Sequence, residues 1–172
     1  MKEKVIIFGG FGFIGFKLAV KLCKLGFEVD IVDLNSNKKL LRYLKNEYRH
    51  SVSYKKIDLA EKRSFKNLRK KNYSYIFDCA AWLGVDKIIN NSYRSLKNNI
   101  DIAFNISAFA KKQHKLKRGD EILTPAVTWS TTVGPIIQNN FIPVLLDVNL
   151  STYDLNVKLI EKSITKKTKA IM

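Results

Sequence analysis

The chain has 172 residues, a length that suggests one domain or two small ones. Its hydrophobic content of 46% and charged content of 27%, with only 3 Pro and 8 Gly, exclude a collagen-like protein and a disordered tail. The net charge of +16 raises the question of whether the protein binds nucleic acid or an acidic membrane surface.

In the first part of the chain, apolar runs alternate with stretches of helical periodicity. The predicted strands cover 4–8, 28–33, 52–57 and 73–79, and the predicted helices cover 13–25, about 37–48, 61–71 and 88–112. Gly26 follows the first helix as an expected C-cap. Strands that alternate with helices at this interval form βαβ units, so we expect an α/β fold with a parallel sheet and right-handed crossovers.

The second part of the chain repeats this alternation with shorter elements. Its predicted strands cover 121–123, 142–146 and 169–171, and its predicted helices cover about 129–139 and 156–164. The basic, poorly patterned stretch 111–119 is the only hint of a boundary in the sequence. The later strands either extend the edge of the first sheet or pack as a separate α/β piece, and the pattern leaves both arrangements open.

A glycine-rich turn at residues 9–15 lies between the first strand and the first helix. Gly9 permits a tight turn, Gly12 lets backbone amides approach a pyrophosphate at the helix N-terminus, and Gly15 lets helix and strand pack closely. Asp33 ends the second strand, where its carboxylate would accept hydrogen bonds from ribose hydroxyls and repel a 2′-phosphate. The pattern predicts an NAD site in preference to an NADP site. The alternative is a structural glycine turn and a surface aspartate.

The glycine turn resembles the opening of the extended short-chain dehydrogenases, the NAD-dependent sugar-nucleotide epimerases and dehydratases. The resemblance continues through 57–59, 77–81, 83–85 and Asn99, and it covers residues 1 to about 110. In the family motif that begins at Asn99, Ile102 and Ala103 replace a Gly and a Thr, while Asn105 is kept. We therefore expect an α/β fold with an incomplete Rossmann-like parallel sheet of about four βα units, followed by a short second α/β segment.

The same resemblance implies NAD as the cofactor and a nucleotide-sugar as the partner. In the family, the aspartate matched by Asp58 contacts the adenine amino group, and small residues at the positions of Ala80 and Ala81 lie under the cofactor. The implied cofactor-binding residues are Gly9, Gly12, Phe13, Ile14, Gly15, Asp33, Asp58, Leu59, Ala80, Ala81 and Asn99.

The catalytic residues of that family are missing from their expected place. Family members use a Tyr-x-x-x-Lys pair with a Ser or Thr after the fifth strand, where the tyrosine acts as acid and base. This chain has one such spacing, Tyr93 and Lys97, but it precedes Asn99 on a predicted helix. We interpret it as a coincidental helix pair, and no catalytic residue is assigned. We expect the chain as it stands to bind cofactor weakly and to turn over no substrate.

After about residue 113 the sequence resembles a different family, the DegT-type pyridoxal-phosphate sugar aminotransferases, and in particular their relatives that dehydrate CDP-sugars at C3. Residues 117–172 carry this likeness. It implies that Trp129 matches an aromatic that stacks on the pyridine ring, although a plain core role is an equal alternative. The phosphate-binding turn expected before Lys117 is absent, and the Schiff-base lysine would lie beyond residue 172. We therefore do not expect pyridoxal phosphate to bind.

The chain thus resembles the front of one sugar-nucleotide enzyme joined in frame to an inner part of another, and an in-frame deletion between neighbouring genes is one explanation. We predict a partial NAD-binding domain at 1–110, a seam at 111–116 and a partial aminotransferase-like segment at 117–172. The protein is then a candidate for homo-oligomerisation or for a role as a complementing subunit.

Two other functions stay open: a fragment of a pyridoxal-phosphate sugar dehydratase or aminotransferase that needs a partner, and a non-enzymatic basic binding protein. Nucleic-acid binding is not expected, because six of the 31 basic residues are Arg and no aromatic residues interleave with the basic clusters. Two cysteines, Cys23 and Cys79, predict reduced, buried thiols and no metal site. No apolar run is long enough to span a bilayer, so we expect no membrane partner and a cytoplasmic location.

Overall fold

The chain divides into two compact units, Met1–Gln113 and His114–Met172. The computed structural model describes residues 2–68, 71–82, 89–128 and 130–171, and each unit contains its own parallel sheet. None of the described helices has the length and the apolar character that a membrane span requires.

The first unit is an α/β structure built on four parallel strands in the order β3-β2-β1-β4. In chain order its elements are β1 (Lys4–Phe8), α1 (Phe13–Lys24), β2 (Glu28–Asp33), α2 (Lys38–Glu47), β3 (Val52–Lys56), a 3₁₀ helix (Lys62–Asn67), β4 (Tyr75–Asp78) and α3 (Ser92–His114). The predicted α/β class and the Rossmann-like parallel sheet are confirmed. Gly26 follows α1 with a φ of +90°, the left-handed conformation expected beyond a helix end.

Three elements of this unit differ from the sequence-based prediction. The region 61–71 forms a short 3₁₀ helix in place of a longer helix, a common form for a connector between strands. β4 begins at Tyr75, because Tyr73 turns into the core and its hydroxyl donates a hydrogen bond to Asp30. The long helix α3 ends at His114, and its predicted start at 88 lies outside the described residues.

β1 is buried on both faces, which explains its uninterrupted apolar sequence. Because successive side chains of a strand point to opposite faces, Val5 and Ile7 pack with α1 and α2, while Ile6 and Phe8 pack on the other side of the sheet. That second face contains a cluster of aromatic rings, in which the ring centroids of Phe8, Phe65 and Phe109 lie 5.7 Å apart in each pair. The β1 strand is therefore the centre of the unit.

A charged side chain is buried beside this core. Asp30, in the middle of β2, is 3% exposed. Its carboxylate accepts hydrogen bonds from Ser53 Oγ at 2.6 Å, Lys71 Nζ at 2.7 Å and Tyr73 Oη at 2.8 Å. Burial by itself raises the pKa of Asp30, but these donors outweigh it and hold the pKa below its usual value. The ionised carboxylate thus ties β2 to β3 and to the segment before β4.

The second unit has a separate three-stranded parallel sheet in the order β6-β5-β7, which settles the open question about the later strands. Its elements are β5 (Glu121–Pro125), α4 (Ser130–Gln138), β6 (Ile142–Leu146), α5 (Val157–Ser163) and β7 (Thr168–Ile171). Its described core is small, with five hydrophobic residues buried: Ile122, Leu123, Ile136, Leu146 and Val148. The central strand β5 provides two of these five residues.

The buried carboxylate predicts a large loss of stability on truncation. Asp30→Ala should lower the free energy of unfolding by about 2–4 kcal/mol, because it leaves two hydroxyls without their acceptor and removes the partner of the Lys71 ammonium group, which is 34% exposed and remains partly solvated. The matched control Asp101→Ala removes the partner of Lys97 in the exposed 2.6 Å pair on α3, and it should change stability by no more than about 1 kcal/mol. Urea unfolding followed by far-UV circular dichroism measures both, and equal effects would contradict this assignment.

The contribution of Asp30 should also depend on pH. Because its pKa is lower in the folded protein, the stabilisation is complete above the ordinary pKa of 3.8 and is lost as pH falls through the folded value. The stability difference between the wild type and Asp30→Ala should therefore be constant from pH 5 to 7 and narrow below about pH 4. Urea unfolding midpoints of both proteins, measured across this pH range, test whether the stability difference narrows as the pH falls.

Two helical glycines should respond in opposite directions to alanine. A Cβ on Gly15 in α1 would collide with the carbonyl oxygen of Gly9, so Gly15→Ala should destabilise the fold by about 1–3 kcal/mol. A Cβ on Gly134 in α4 would meet no described atom within 4 Å, so Gly134→Ala should stabilise it by about 0.5–1 kcal/mol. Thermal unfolding of both variants compares them, and destabilisation of both would disprove the explanation.

Candidate functional site

A crevice of about 1180 Å³ opens at the carboxyl ends of the strands in the first unit. It is larger than the roughly 300–1,000 Å³ that is usual for small-molecule sites. In an open parallel sheet, this edge is where ligands bind. The described lining residues come from the turns after all four strands, from the first residues of α1 and α2, and from α3: Gly9, Phe11, Gly12, Phe13, Ile14, Asp33, Leu34, Asn35, Ser36, Asn37, Lys38, Asp58, Leu59, Cys79, Ala80, Ala81, Trp82, Arg94, Asn98 and Ile102.

Two glycines of the turn after β1 are required by the fold itself. Gly9 has a φ of +72°, and a Cβ there would lie 2.5 Å from the carbonyl oxygen of Cys79 and 2.7 Å from Ala80 Cα. A Cβ on Gly15 would collide with the carbonyl oxygen of Gly9 and lie 2.8 Å from Gly10 Cα. The turn, the first helix and the end of β4 therefore approach one another at distances that only glycine allows.

Gly12 is different, because its conformation does not require glycine. It is the N-cap of α1 with a φ of −69° and a ψ of 171°, values that other residues adopt readily. The nearest atom that a Cβ would meet is the carbonyl oxygen of Gly9, at 3.2 Å. Gly12 is exposed and lines the crevice with Phe13 and Ile14. A missing side chain here leaves open the space in front of the first helical amides, which have no acceptor within the helix.

Asp33 is held in a fixed orientation at the end of β2. One carboxylate oxygen accepts a hydrogen bond from the amide of Phe11 at 3.0 Å, and the other accepts one from the amide of Asn35 at 3.0 Å. A carboxylate has about four lone-pair sites, so these two amides leave room for two further donors. Asp33 lines the crevice, and it can accept hydroxyl groups there without giving up its backbone bonds.

The loop after β3 is held in place by α3. Asn105 is buried on α3, and its side-chain amide donates to the carbonyl oxygens of Leu59 at 3.0 Å and Ala60 at 2.9 Å. Asp58 is exposed and accepts a hydrogen bond from the Ala60 amide at 3.0 Å. Leu59 lines the crevice and reaches the core, where it is 5% exposed. Asn105 thus fixes the part of the crevice that contains Asp58.

The loop after β4 is held by the same helix. Asn99 Oδ1 accepts a hydrogen bond from the Trp82 amide at 2.7 Å, and Asn99 Nδ2 donates to the Trp82 carbonyl oxygen at 3.3 Å. Ala80 and Ala81, immediately before Trp82, present small side chains to the crevice. The side chain of Asn99 thus binds the main chain of Trp82 and is not part of the described lining, whereas Asn98 lines the crevice.

The structure brings most of the predicted site residues together. Those that line the crevice are Gly9, Gly12, Phe13, Ile14, Asp33, Asp58, Leu59, Ala80 and Ala81. Gly15 is buried beneath the turn, and Asn99 lies behind Trp82. Trp129 and the stretch 83–85 lie outside the described residues.

Sequence reasoning missed the contribution of α3 to the lining. Arg94, Asn98 and Ile102 line the crevice, and they lie four residues apart along the helix. Residues at this spacing share one face of a helix, so the signal was present in the sequence. Nothing in that spacing alone indicated which face points to the crevice.

The cysteine prediction is wrong for one of the two residues. Cys23 is buried, as expected, but Cys79 is only half-buried and lines the crevice, because it follows the last residue of β4 beside the glycine turn. Burial, together with the neighbouring Asp78 carboxylate, raises the pKa of the Cys79 thiol. The thiol is therefore protonated at neutral pH. Cys79 lines the crevice, and its protonated thiol does not act as a nucleophile there.

The Tyr93–Lys97 spacing does not form an acid–base pair in the crevice. Tyr93 is 79% exposed, and Lys97 makes an exposed ion pair with Asp101 at 2.6 Å. The Asp101 carboxylate raises the pKa of Lys97. Neither residue is part of the described lining, which takes Arg94 and Asn98 from the same helix. The described crevice can bind and orient a ligand through its backbone amides, carboxylates and Arg94.

Solved structures with a similar fold include sugar epimerases. The UDP-Glc/GlcNAc 4-epimerase from Campylobacter jejuni has a TM-score of 0.59 and 20% identity, covering 72% of this chain and 37% of that chain. The UDP-glucose 4-epimerase from Bifidobacterium longum, solved in complex with NAD+ and UDP, has a TM-score of 0.59 and 20% identity, covering 74% of this chain and 38% of that chain. At this identity the likeness shows the fold.

Curated relatives resemble the chain at higher identity over shorter stretches. The lipopolysaccharide biosynthesis protein RfbH from Salmonella typhimurium is 50% identical over 60 residues, which are 35% of this chain and 14% of that protein. The GDP-4-keto-6-deoxy-D-mannose 3-dehydratase from Yersinia pseudotuberculosis is 36% identical over 98 residues, which are 57% of this chain and 24% of that protein. The chain therefore spans less than a quarter of the length of these two relatives.

Two family profiles match the chain, and both predicted resemblances are confirmed. The DegT/DnrJ/EryC1/StrS aminotransferase family matches residues 103–172, which include the whole second unit. The NAD dependent epimerase/dehydratase family matches residues 5–120, which include every described residue that lines the crevice. Because this match covers well over half of the sequence, the chain belongs to the NAD dependent epimerase/dehydratase family.

Proposed function

We propose that the first unit binds NAD in the crevice. The observation that carries this proposal is Gly12, an exposed residue with an ordinary φ and ψ that lines the crevice at the start of α1, where a ligand phosphate would approach. A Cβ on Gly9 or Gly15 would collide with backbone atoms, whereas a Cβ on Gly12 would meet only the Gly9 carbonyl oxygen, at 3.2 Å, and would otherwise occupy the space open to a ligand. The N-terminal amides of α1 and the helix dipole favour an anion at that place.

The rest of the crevice fits the two halves of a dinucleotide. The side formed by β2 and β3 offers Asp33 and Asp58, acceptors suited to ribose hydroxyls and an adenine amino group. The side formed by β4 offers Ala80 and Ala81, which leave room for a flat ring. Bound NAD would supply a hydride acceptor, and the chain's own residues would bind and orient it.

We propose a nucleotide-sugar as the substrate class. The similar structures are named as epimerases of UDP-sugars, and the relative from Yersinia pseudotuberculosis is named as a dehydratase of a GDP-sugar. The similarity to both families therefore concerns proteins that act on sugars attached to a nucleoside diphosphate. The basic net charge of +16 is compatible with such an anionic ligand.

We propose that turnover needs an acid–base group that the described lining does not supply. The Tyr93–Lys97 spacing lies outside that lining, and the described lining contains no tyrosine. We propose a second copy or a complementing subunit as the source of this group. We also propose the partition into a cofactor-binding part at 1–110, a seam at 111–116 and an aminotransferase-like part at 117–172.

Binding of NAD should depend on the missing side chain at Gly12. The wild type should show saturable heat in a calorimetric titration, and Gly12→Val should raise the Kd for NAD at least about tenfold, because a branched side chain fills the space in front of the helical amides. Gly134→Ala serves as a control that leaves the Kd unchanged, since Gly134 lies in the second unit. No heat with the wild type at millimolar NAD, or equal Kd values for all three proteins, would contradict the proposal.

Asp33 should make the protein prefer NAD to NADP. We expect the wild type to bind NAD at least about tenfold more tightly, because a 2′-phosphate would meet the fixed Asp33 carboxylate. Asp33→Asn should reduce this ratio towards one. Asp58→Asn should weaken the binding of both cofactors alike, because Asp58 lies at the adenine end. Calorimetric titration gives the Kd of each protein for NAD and for NADP. If the ratio of the two Kd values in Asp33→Asn equals that of the wild type, Asp33 does not select NAD.

A further inference from the structure

Arg94 is a basic residue of the crevice that neither the glycine pattern nor the comparisons assign. Among the described lining residues the basic ones are Lys38, at the start of α2, and Arg94, on α3. Lys38 follows Asp33 closely in the chain, on the side of the crevice formed by β2. Arg94 shares its face of α3 with Asn98 and Ile102, beside the end of β4. The two cations therefore belong to opposite sides of the crevice.

Arg94 is held in place by an aromatic ring. Its guanidinium carbon lies 5.8 Å from the centre of the Trp82 ring, a distance at which a cation is attracted to the face of the ring. The main chain of Trp82 is itself held, because Asn99 binds both its amide and its carbonyl oxygen. A guanidinium stacked in this way keeps its N–H groups free at the edge of its plane. Among the described ion pairs, none involves Arg94.

The charges of the crevice call for such a cation if a dinucleotide binds. The pyrophosphate of NAD carries two negative charges, and the lining adds the carboxylates of Asp33 and Asp58. The start of α1 offers a partial charge of roughly +0.5 from its dipole. That partial charge and the ammonium group of Lys38 together do not balance the pyrophosphate and the two carboxylates. A guanidinium, which can hold phosphate oxygens through two parallel hydrogen bonds, adds a further positive charge.

We propose that Arg94, positioned by Trp82, binds the pyrophosphate of NAD at its nicotinamide-ribose end. This inference rests on the proposed function of the crevice. It adds a binding residue on α3 that distinguishes the full dinucleotide from its adenosine half. AMP would occupy the side with Asp33 and Asp58, away from Arg94, whereas ADP-ribose and NAD would reach it through their second phosphate.

Three variants and three ligands test the proposal. The variants are Arg94→Ala, Arg94→Gln, which keeps part of the side chain over Trp82 without its charge, and Arg42→Ala, which removes the same charge from α2 outside the lining. Each is titrated calorimetrically with NAD, ADP-ribose and AMP beside the wild type. Both Arg94 variants should raise the Kd of NAD and ADP-ribose by about tenfold to a hundredfold, the usual cost of losing a hydrogen bond to a charged group. Their Kd for AMP should stay within about twofold of the wild type.

The outcomes separate this inference from the proposed function. Wild-type protein that binds NAD together with Arg94 variants that bind it equally well would overturn the role of Arg94 and leave the NAD site standing. Wild-type protein that binds no NAD would overturn both. Equal losses for AMP and NAD, or an equal loss in Arg42→Ala, would show a general charge effect and overturn the placement at the pyrophosphate. Circular dichroism of each variant verifies that the fold is retained.

Discussion

The first unit depends on one close approach, in which the backbone of the turn after β1 packs against the end of β4 and the start of α1. The approach is possible because Gly9 and Gly15 have no Cβ, and a single methyl group at either place would meet backbone atoms at 2.8 Å or less. Backbone atoms cannot move aside as side chains can, so this constraint is rigid. It fixes where α1 begins, and the crevice follows from it: the amides at the start of the helix face the ends of the strands.

The long helix α3 holds the loops that form the crevice. Its buried face carries Phe109 into the aromatic cluster around Phe8, which anchors the helix on the sheet. From that anchor, Asn105 holds the loop after β3 and Asn99 holds the loop after β4. The helix therefore fixes two walls of the crevice with two side-chain amides and adds lining residues of its own. Loops that are held in this way lose less conformational entropy when a ligand binds.

The chain matches two protein families, each over a different part of its sequence. The epimerase/dehydratase match covers the crevice, and the aminotransferase match covers the second unit, whose three strands form a sheet of their own. The crevice contains groups that bind and orient, namely amides, carboxylates and a guanidinium, and its thiol is held protonated by burial. The Tyr-x-x-x-Lys spacing shows why a motif needs its structural context: Lys97 is occupied by Asp101 one helical turn away, and Tyr93 faces solvent.

The sequence by itself determined the features that depend on local chemistry. The apolar run of β1, the glycine spacing and Asp33 at the end of β2 were predictable, because a strand buried on both faces, a tight turn and a strand end each impose their own residue types. Only the tertiary structure decided that Asp30 joins Ser53 and Tyr73, and that Arg94 reaches the crevice beside Trp82. It also decided that the later strands form a separate sheet. These features rest on residues more than ten positions apart in the chain, and such contacts follow from packing, which no local pattern specifies.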